Sequence, residues 1–252
     1  MIDRRHFTNL LLATPLVAAG CSAAKTEQAE PTLGKFSYLP GITARERLIV
    51  PKGRQIKVAF AINPGVQVID VAGPWETFQD TYLAGAEEAL FTLFTVSETT
   101  KPVRGSGGLM MVPDYTIDNA PVPDVIVVPH FDQPSPFTRD MSAIHHWIKA
   151  THDRTALTMS ICTGAFQLAK TGLLDGIPMT TNQQAANNFA KAFPEIDLRR
   201  GPRFVEAGHI ATSGGLSAGI DLALRVVARF FDEMVAQQTA DRMEYAGTGW
   251  RT

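Results

Sequence analysis

Four short apolar runs constrain this chain more than anything else in it: KVAFAI from Lys57, LFTLFTV from Leu90, VIVVP from Val125 and LTMSI from Leu157. None is long enough for a helix, and their Val, Ile, Phe and Thr content suits a pleated strand. Elsewhere apolar residues recur at helical spacing: Met141, Ile144, Trp147 and Ile148 share one face, as do Ala186, Phe189, Ala190 and Phe193, and later Ile220, Leu224, Val227 and Phe231. Strands that are apolar without alternation are buried on both sides, so the pattern predicts an α/β fold with a mostly parallel sheet between helices. In such sheets the ligand crevice lies beyond the carboxyl ends of the strands. The stretch VRGSGGLMMVPD from Val103 interrupts the alternation and predicts a β-hairpin.

With 252 residues, 45% of them hydrophobic, the chain can bury one substantial core. One domain is expected over residues 54–252. The net charge of −2, with no long Lys/Arg run, provides no electrostatic footprint for nucleic acid, which leaves a small neutral or polar molecule as the expected partner. No metal or cofactor is expected. Cys162 stands apart from other potential ligands, His145 and His146 are read as surface residues on different faces of a helix, and the glycines of SGGLSAG lack the lysine of a phosphate loop.

The first residues, MIDRRHFTNLLLATPLVAAGC, place Arg4 and Arg5 before an apolar stretch too short to span a bilayer but suited to a signal peptide. The Arg-Arg-x-Phe order resembles a twin-arginine export signal. VAAGC resembles a lipobox, whose cysteine is acylated and becomes the mature N-terminus. The reading is a signal over residues 1–21, lipidation at Cys21, a flexible tether over residues 22–53 and a domain anchored on the periplasmic side of a bacterial envelope. A plain secretory signal or an uncleaved amphiphilic anchor are the alternatives. With Cys21 lipidated, Cys162 is the remaining thiol.

Cys162 follows the run LTMSI and precedes Thr163, Gly164 and Ala165, the small residues that a tight strand-to-helix turn requires. The helix after it is expected to run to Thr171 and stop at Gly172. Unpaired backbone N–H groups and the helix dipole at that turn would favour thiolate over thiol, so an accessible cysteine of depressed pKa is one expectation. Burial as a small apolar side chain at a strand end is the other. Asp70 is the second odd residue, an acid between Ile69 and Val71 just beyond the first strand. Burying it is costly without a partner. It either caps a helix beginning near Trp75 or serves a site.

INPGVQVIDVAGPWETF, SICTGAFQLAKTGLLDGIPMTTN and GHIATSGGLSAGIDLALRVVAR occur in an order and at spacings that resemble the DJ-1/PfpI superfamily, most of all its isonitrile hydratase and AraC-type amidase-like branch. The likeness runs from about Arg54 to Phe231. It implies a flavodoxin-like three-layer sandwich, frequently dimeric, with Cys162 on a nucleophile elbow. It also implies that Asp70 stands where other members carry a glutamate touching the cysteine. In isonitrile hydratases the cysteine adds to the isonitrile carbon and the acid assists water, giving an N-substituted formamide. Carried over, the pair is Cys162 and Asp70, with Thr163 supplying a hydroxyl or backbone donor. Gly164, His130 and Asn182 are the residues expected to contact substrate.

Two positions depart from the family pattern. His130 and Phe131 replace a Gly-Gly pair whose backbone amides serve the site, and Asn182 and Gln183 replace a His-Trp pair. His130 is then a general base or a histidine that faces solvent or supports the site from behind. The leading expectation is a cysteine-dependent enzyme adding water to a small electrophilic carbon. A glyoxalase-like activity and a non-catalytic ligand-binding or thiol redox-sensing module are the alternatives. A glutaminase with a Cys-His-Glu triad is disfavoured because His209 precedes ATSGG, so no His-x-Glu follows that strand. A gene regulator is disfavoured because the residues after Phe231 are too few for a helix-turn-helix domain.

Overall fold

The computed structural model describes residues 39–44, 46–86, 88–133 and 135–251. The signal expected over residues 1–21, with Cys21, lies outside them. From the first strand the elements are β1 (Ile56–Ala61), α1 (Val68–Gln79), β2 (Phe91–Ser97), β3 (Val103–Arg104), β4 (Met110–Met111), β5 (Tyr115–Thr116), β6 (Val125–Val128), α2 (Ala143–His152) and β7 (Leu157–Ser160). They continue as α3 (Gly164–Thr171), β8 (Pro178–Met179), α4 (Ala186–Ala192), β9 (Asp197–Leu198), β10 (Phe204–Ala207), β11 (Ile210–Ser213), α5 (Ala218–Phe230) and α6 (Glu233–Arg242).

Seven strands form the main sheet in the order β10-β11-β7-β6-β1-β2-β5. All neighbours are parallel except β10 and β11, which form an antiparallel hairpin at one edge. The register runs Phe91–Ile56 on one side of β1 and Val58–Val125 on the other, then Val125–Leu157 and Thr158–Ile210. Helix α1 packs on α5, and α2 packs on α3. The four apolar runs of the sequence are β1, β2, β6 and β7. Val58, Phe60, Val125, Ile126, Val127, Leu157 and Met159 are fully buried, each stabilising the fold by about 1.5–3 kcal/mol relative to exposure.

The chain moves outward from β1 to β2 and β5, then returns to β6 on the other side of β1. This reversal opens a crevice beyond the strand ends, where the segments after β1, β6 and β7 converge. Residues 103–111 form the expected hairpin, β3 pairing with β4 around the glycines at 105, 107 and 108.

Three expectations need correction. Helix α1 starts at Val68 rather than near Trp75, so Pro74 lies inside it. Proline is commonest at a helix start, which is why the sequence pointed there. The tether expected over residues 22–53 ends earlier, because Leu39 and Ile42 bridge to Pro202 and Val205. Beyond them, buried Glu206 pairs with Arg225 and Arg229 at 3.1 Å each, and these three side chains hold the backbone at Ala44 and Glu46. Finally, His145 is buried rather than on the surface, its Nε2 2.8 Å from Gln167 Oε1 and its Nδ1 accepting the Ser142 backbone N–H at 3.0 Å.

Candidate active site

Helix α3 ends at Gly172 as expected, where the chain turns into the left-handed region at φ 80°. Its start is the functional turn. Cys162 itself sits at φ 58°, a conformation L residues seldom adopt outside strained functional turns. Its backbone is held on both sides, since its N–H donates to the Gly214 carbonyl at 3.0 Å and its own carbonyl accepts the Thr181 hydroxyl at 2.9 Å. The side chain is buried. Three donors reach the sulfur: the Asn182 side-chain amide at 3.3 Å and the backbone N–H groups of Leu216 and Thr163.

Gly164 permits this turn by absence. A Cβ there would lie 2.1 Å from the Val128 carbonyl oxygen, so only glycine lets α3 approach the end of β6. Its expected substrate contact is therefore corrected. Gly164 is buried and packs α3 against the sheet, and it does not line the cavity beside the turn.

Asp70 lies in the first turn of α1 and is fully buried. Gln67 occupies the capping position, so Asp70 is not the helix cap. One carboxyl oxygen, Oδ2, accepts the His130 backbone N–H at 3.2 Å, while Oδ1 has no hydrogen-bond partner among the described residues. Burial pushes the carboxyl pKa up to about 7, against the His130 hydrogen bond that favours the charged form. The backbone amide of residue 130 thus still serves the site although histidine replaces glycine.

The acidity of Cys162 departs from the sequence expectation. Burial is the larger cause raising its pKa and the charge of Asp70 the second, outweighing the opposing donors from Asn182, Leu216 and Thr163. Cys162 is also buried rather than accessible, with 6% of its surface exposed. The sequence pointed to the helix start and its donors, but the opposing effects depend on depth and on the neighbouring acid. The two groups disfavour each other's charge: protonating Asp70 removes the repulsion that raises the thiol.

His130 faces this pair from the end of β6. Its Nδ1 lies 2.8 Å from Thr163 Oγ1, and its Nε2 lies 3.9 Å from Asp132 Oδ1. Burial lowers its pKa below the ordinary histidine value and Asp132 partly opposes that, which leaves a neutral imidazole at pH 7. His130 and Thr163 border a cavity of about 250 Å³ whose apolar wall includes Pro136, Phe137, Phe166 and Ala185. Asn182 touches the sulfur rather than this cavity.

His209 sits in the turn between β10 and β11, at the opposite end of β11 from the cysteine, with Nδ1 3.1 Å from the Ala156 carbonyl. Leu216 is the residue that sequence reasoning missed. It adopts φ 50°, and a leucine carries no signal for that conformation. Among the described residues, no group of three His, Cys, Asp or Glu side chains is placed to share a metal ion.

The DJ-1/PfpI family model matches residues 56–229. The isonitrile hydratase of Pseudomonas putida is 30% identical over 191 residues, covering 76% of this chain and 79% of that protein. The HTH-type transcriptional regulator GbdR of Pseudomonas aeruginosa is 25% identical over 77% of this chain, which spans only 50% of the regulator's length. A solved ThiJ/PfpI family protein from Pseudomonas syringae has the same fold, with a TM-score of 0.67 at 22% identity over 89% of this chain and 85% of that one. A family match spanning most of the chain, with the cysteine turn and the buried acid both inside it, means that the chain belongs to the DJ-1/PfpI family.

Proposed function

We propose that the protein is a cysteine-dependent hydratase that adds water to a small electrophilic carbon, an isonitrile carbon being the best-supported case. One observation carries the reading. A fully buried Asp70, with its pKa at about 7 and one oxygen unpartnered, acts electrostatically on a buried thiol held by three donors. An acid poised near neutrality can give a proton and then take one. The 30% identity to an isonitrile hydratase supports hydration of an isonitrile as the reaction.

The Asp70 carboxylate takes the Cys162 thiol proton as the sulfur bonds to the isonitrile carbon, and delivers that proton to the same carbon, leaving a thioimidate. Water then attacks this carbon. The Asp70 carboxylate takes one proton from the water, and the substrate nitrogen takes the other, which completes its N–H. The C–S bond breaks as the C=O forms, thiolate returns with the proton on Asp70, and the product is an N-substituted formamide. Asn182 and the amides of Leu216 and Thr163 stabilise sulfur whenever it is anionic. The apolar cavity beside His130 and Thr163 is suited to the group carried on the substrate nitrogen.

The deciding experiment assays the full chain against isonitriles, 2-oxoaldehydes and amides, beside Cys162→Ser and Asp70→Asn. Formamide formation is expected from the wild type, none from Cys162→Ser, and a loss of at least about a hundredfold from Asp70→Asn. Preference for 2-oxoaldehydes would replace hydration by a glyoxalase-like reaction. Inactivity toward every class by a folded chain would leave a binding or redox-sensing module.

The chain is further proposed to act at the bacterial cell envelope, lipidated on Cys21, a reading supported by RRHF and VAAGC in the sequence. Mass spectrometry of the native N-terminus should find acylated Cys21 as the first residue. An intact Met1 or an unmodified Cys21 rejects the anchor.

A further inference from the structure

The loop from Gly214 to Ser217 delivers the Leu216 amide to the Cys162 sulfur, and it does so in a conformation that a leucine does not hold by itself, φ 50°. Something must hold the loop from behind. Arg203, one residue before β10, is the residue placed to do so. Its carbonyl accepts the Gly214 N–H at 3.0 Å, its Nη2 donates to Ser217 Oγ at 3.1 Å, and its Nε donates to Asp221 Oδ2. One side chain and one carbonyl thereby fix both ends of the loop.

Asp221 is in turn held by the end of the chain. It is 1% exposed, in the first turn of α5. The residues after α6 return over it: the Tyr245 hydroxyl and the Trp250 backbone amide favour its charged form, while Oδ1 has no hydrogen-bond partner among the described residues. A Cβ at Gly249 would stand 3.0 Å from Asp221 Oδ2, tight enough that the glycine permits the close approach. Trp250 is 1% exposed and belongs to the main core. This final segment is therefore packed as part of the domain rather than trailing from it.

We propose that Arg203 and Asp221, clamped by the C-terminal segment from Tyr245 to Trp250, are positioning residues that hold the Leu216 N–H on the Cys162 sulfur. The brace touches neither substrate nor the reacting atom, and its effect on chemistry runs through one backbone hydrogen bond. It matters for catalysis only where Cys162 is the reacting group, as proposed above. Arginine suits the task because its fork spans Asp221 and Ser217 at once, which a lysine ammonium cannot do. Of the other groups that set the thiol, Asp70 approaches from α1, and Asn182 from the loop after β8, where it packs against Gly215 of the braced loop.

The test reads the thiol itself rather than turnover. Thiolate absorbance is titrated against pH in the full chain, as the difference from a matching Cys162→Ser chain so that Cys21 and the tyrosines cancel. Arg203→Lys and Asp221→Asn should each raise the midpoint of Cys162 by about one pH unit, the size expected when a hydrogen bond to a charged acceptor is lost. Ser217→Ala, which removes one exposed hydroxyl, should raise it by a smaller amount and keeps the question answerable if the other two fail to fold. A purely structural brace would lower the melting temperature and leave the midpoint alone. Midpoints equal to wild type in every variant that folds overturn the proposal. Because no substrate enters the measurement, failure of the hydratase reading leaves its outcome intact.

Discussion

Asn182 Nδ2 lies 3.3 Å from Cys162 Sγ, which makes a side chain from the loop after β8 part of the anion site of a cysteine at the end of β7. A donor to a thiolate is worth more than a donor to a neutral group, and here it opposes both burial and the charge of Asp70. Asn182→Leu removes the donor while roughly preserving volume. The thiolate midpoint should rise by about one pH unit and turnover at pH 7 should fall about tenfold. Parallel absorbance titration and steady-state assays check both, and an unmoved midpoint would show that the two backbone amides suffice.

Asp70 also makes stability depend on pH. Its folded pKa, about 7, is raised above the unfolded carboxylate value, so its contribution is fully present below the unfolded pKa near 4 and is lost as pH rises through the folded one. The window is therefore about pH 4 to 7, with stability declining upward across it and levelling above. The buried carboxylate costs up to a few kcal/mol at pH 8, and Asp70→Asn removes that cost because an amide does not ionise. Melting temperatures measured from pH 5 to pH 8 should fall more steeply for wild type than for Asp70→Asn. Parallel curves would mean that Asp70 titrates like an exposed acid.

The sheet was legible because parallel strands buried on both faces leave uninterrupted apolar runs, and the Cys162 turn because Thr163, Gly164 and Ala165 are small. Asp70 stood out for the same reason, as an acid where burial was already indicated. Other features depended on relations that no local pattern carries. FVEAGHIATS holds a two-strand hairpin, but its strands are short and its turn is Gly-His rather than a strong turn pair, so no local pattern marks β10 and β11 as separate strands. His145 was placed on the surface because its burial depends on Gln167, which comes from a different helix. The raised thiol pKa was missed because the donors are predictable from a helix start, whereas the desolvation and the nearby charge that outweigh them arise only when β1 and β7 bring their ends together.

Gly164 offers a test of how tightly the turn is built. Gly164→Ala would place a methyl 2.1 Å from the Val128 carbonyl oxygen and 2.9 Å from the Pro129 backbone, and neither neighbour is a flexible side-chain end. The strand end or the start of α3 must shift, at a cost of about 1–3 kcal/mol or more. Urea unfolding should show that loss as a lower midpoint at unchanged slope. Because Thr163, whose amide meets the sulfur, directly precedes Gly164 at the start of α3, turnover should fall by more than the folded fraction alone explains. A variant as stable as wild type would show that α3 can move away freely.

His130 and Thr163 share a 2.8 Å contact between imidazole Nδ1 and hydroxyl at the cavity wall, and the contact should act as a unit. The backbone amide that His130 gives to Asp70 survives any side-chain change, so His130→Ala isolates the imidazole. Removing the ring, or removing the hydroxyl with Thr163→Val, should each lower kcat/KM about tenfold, an effect typical of one lost polar contact to a reacting or oriented group. The double variant should lose little more than either single one, because each change already breaks the same contact. Additive losses in the double variant would assign the two side chains separate roles.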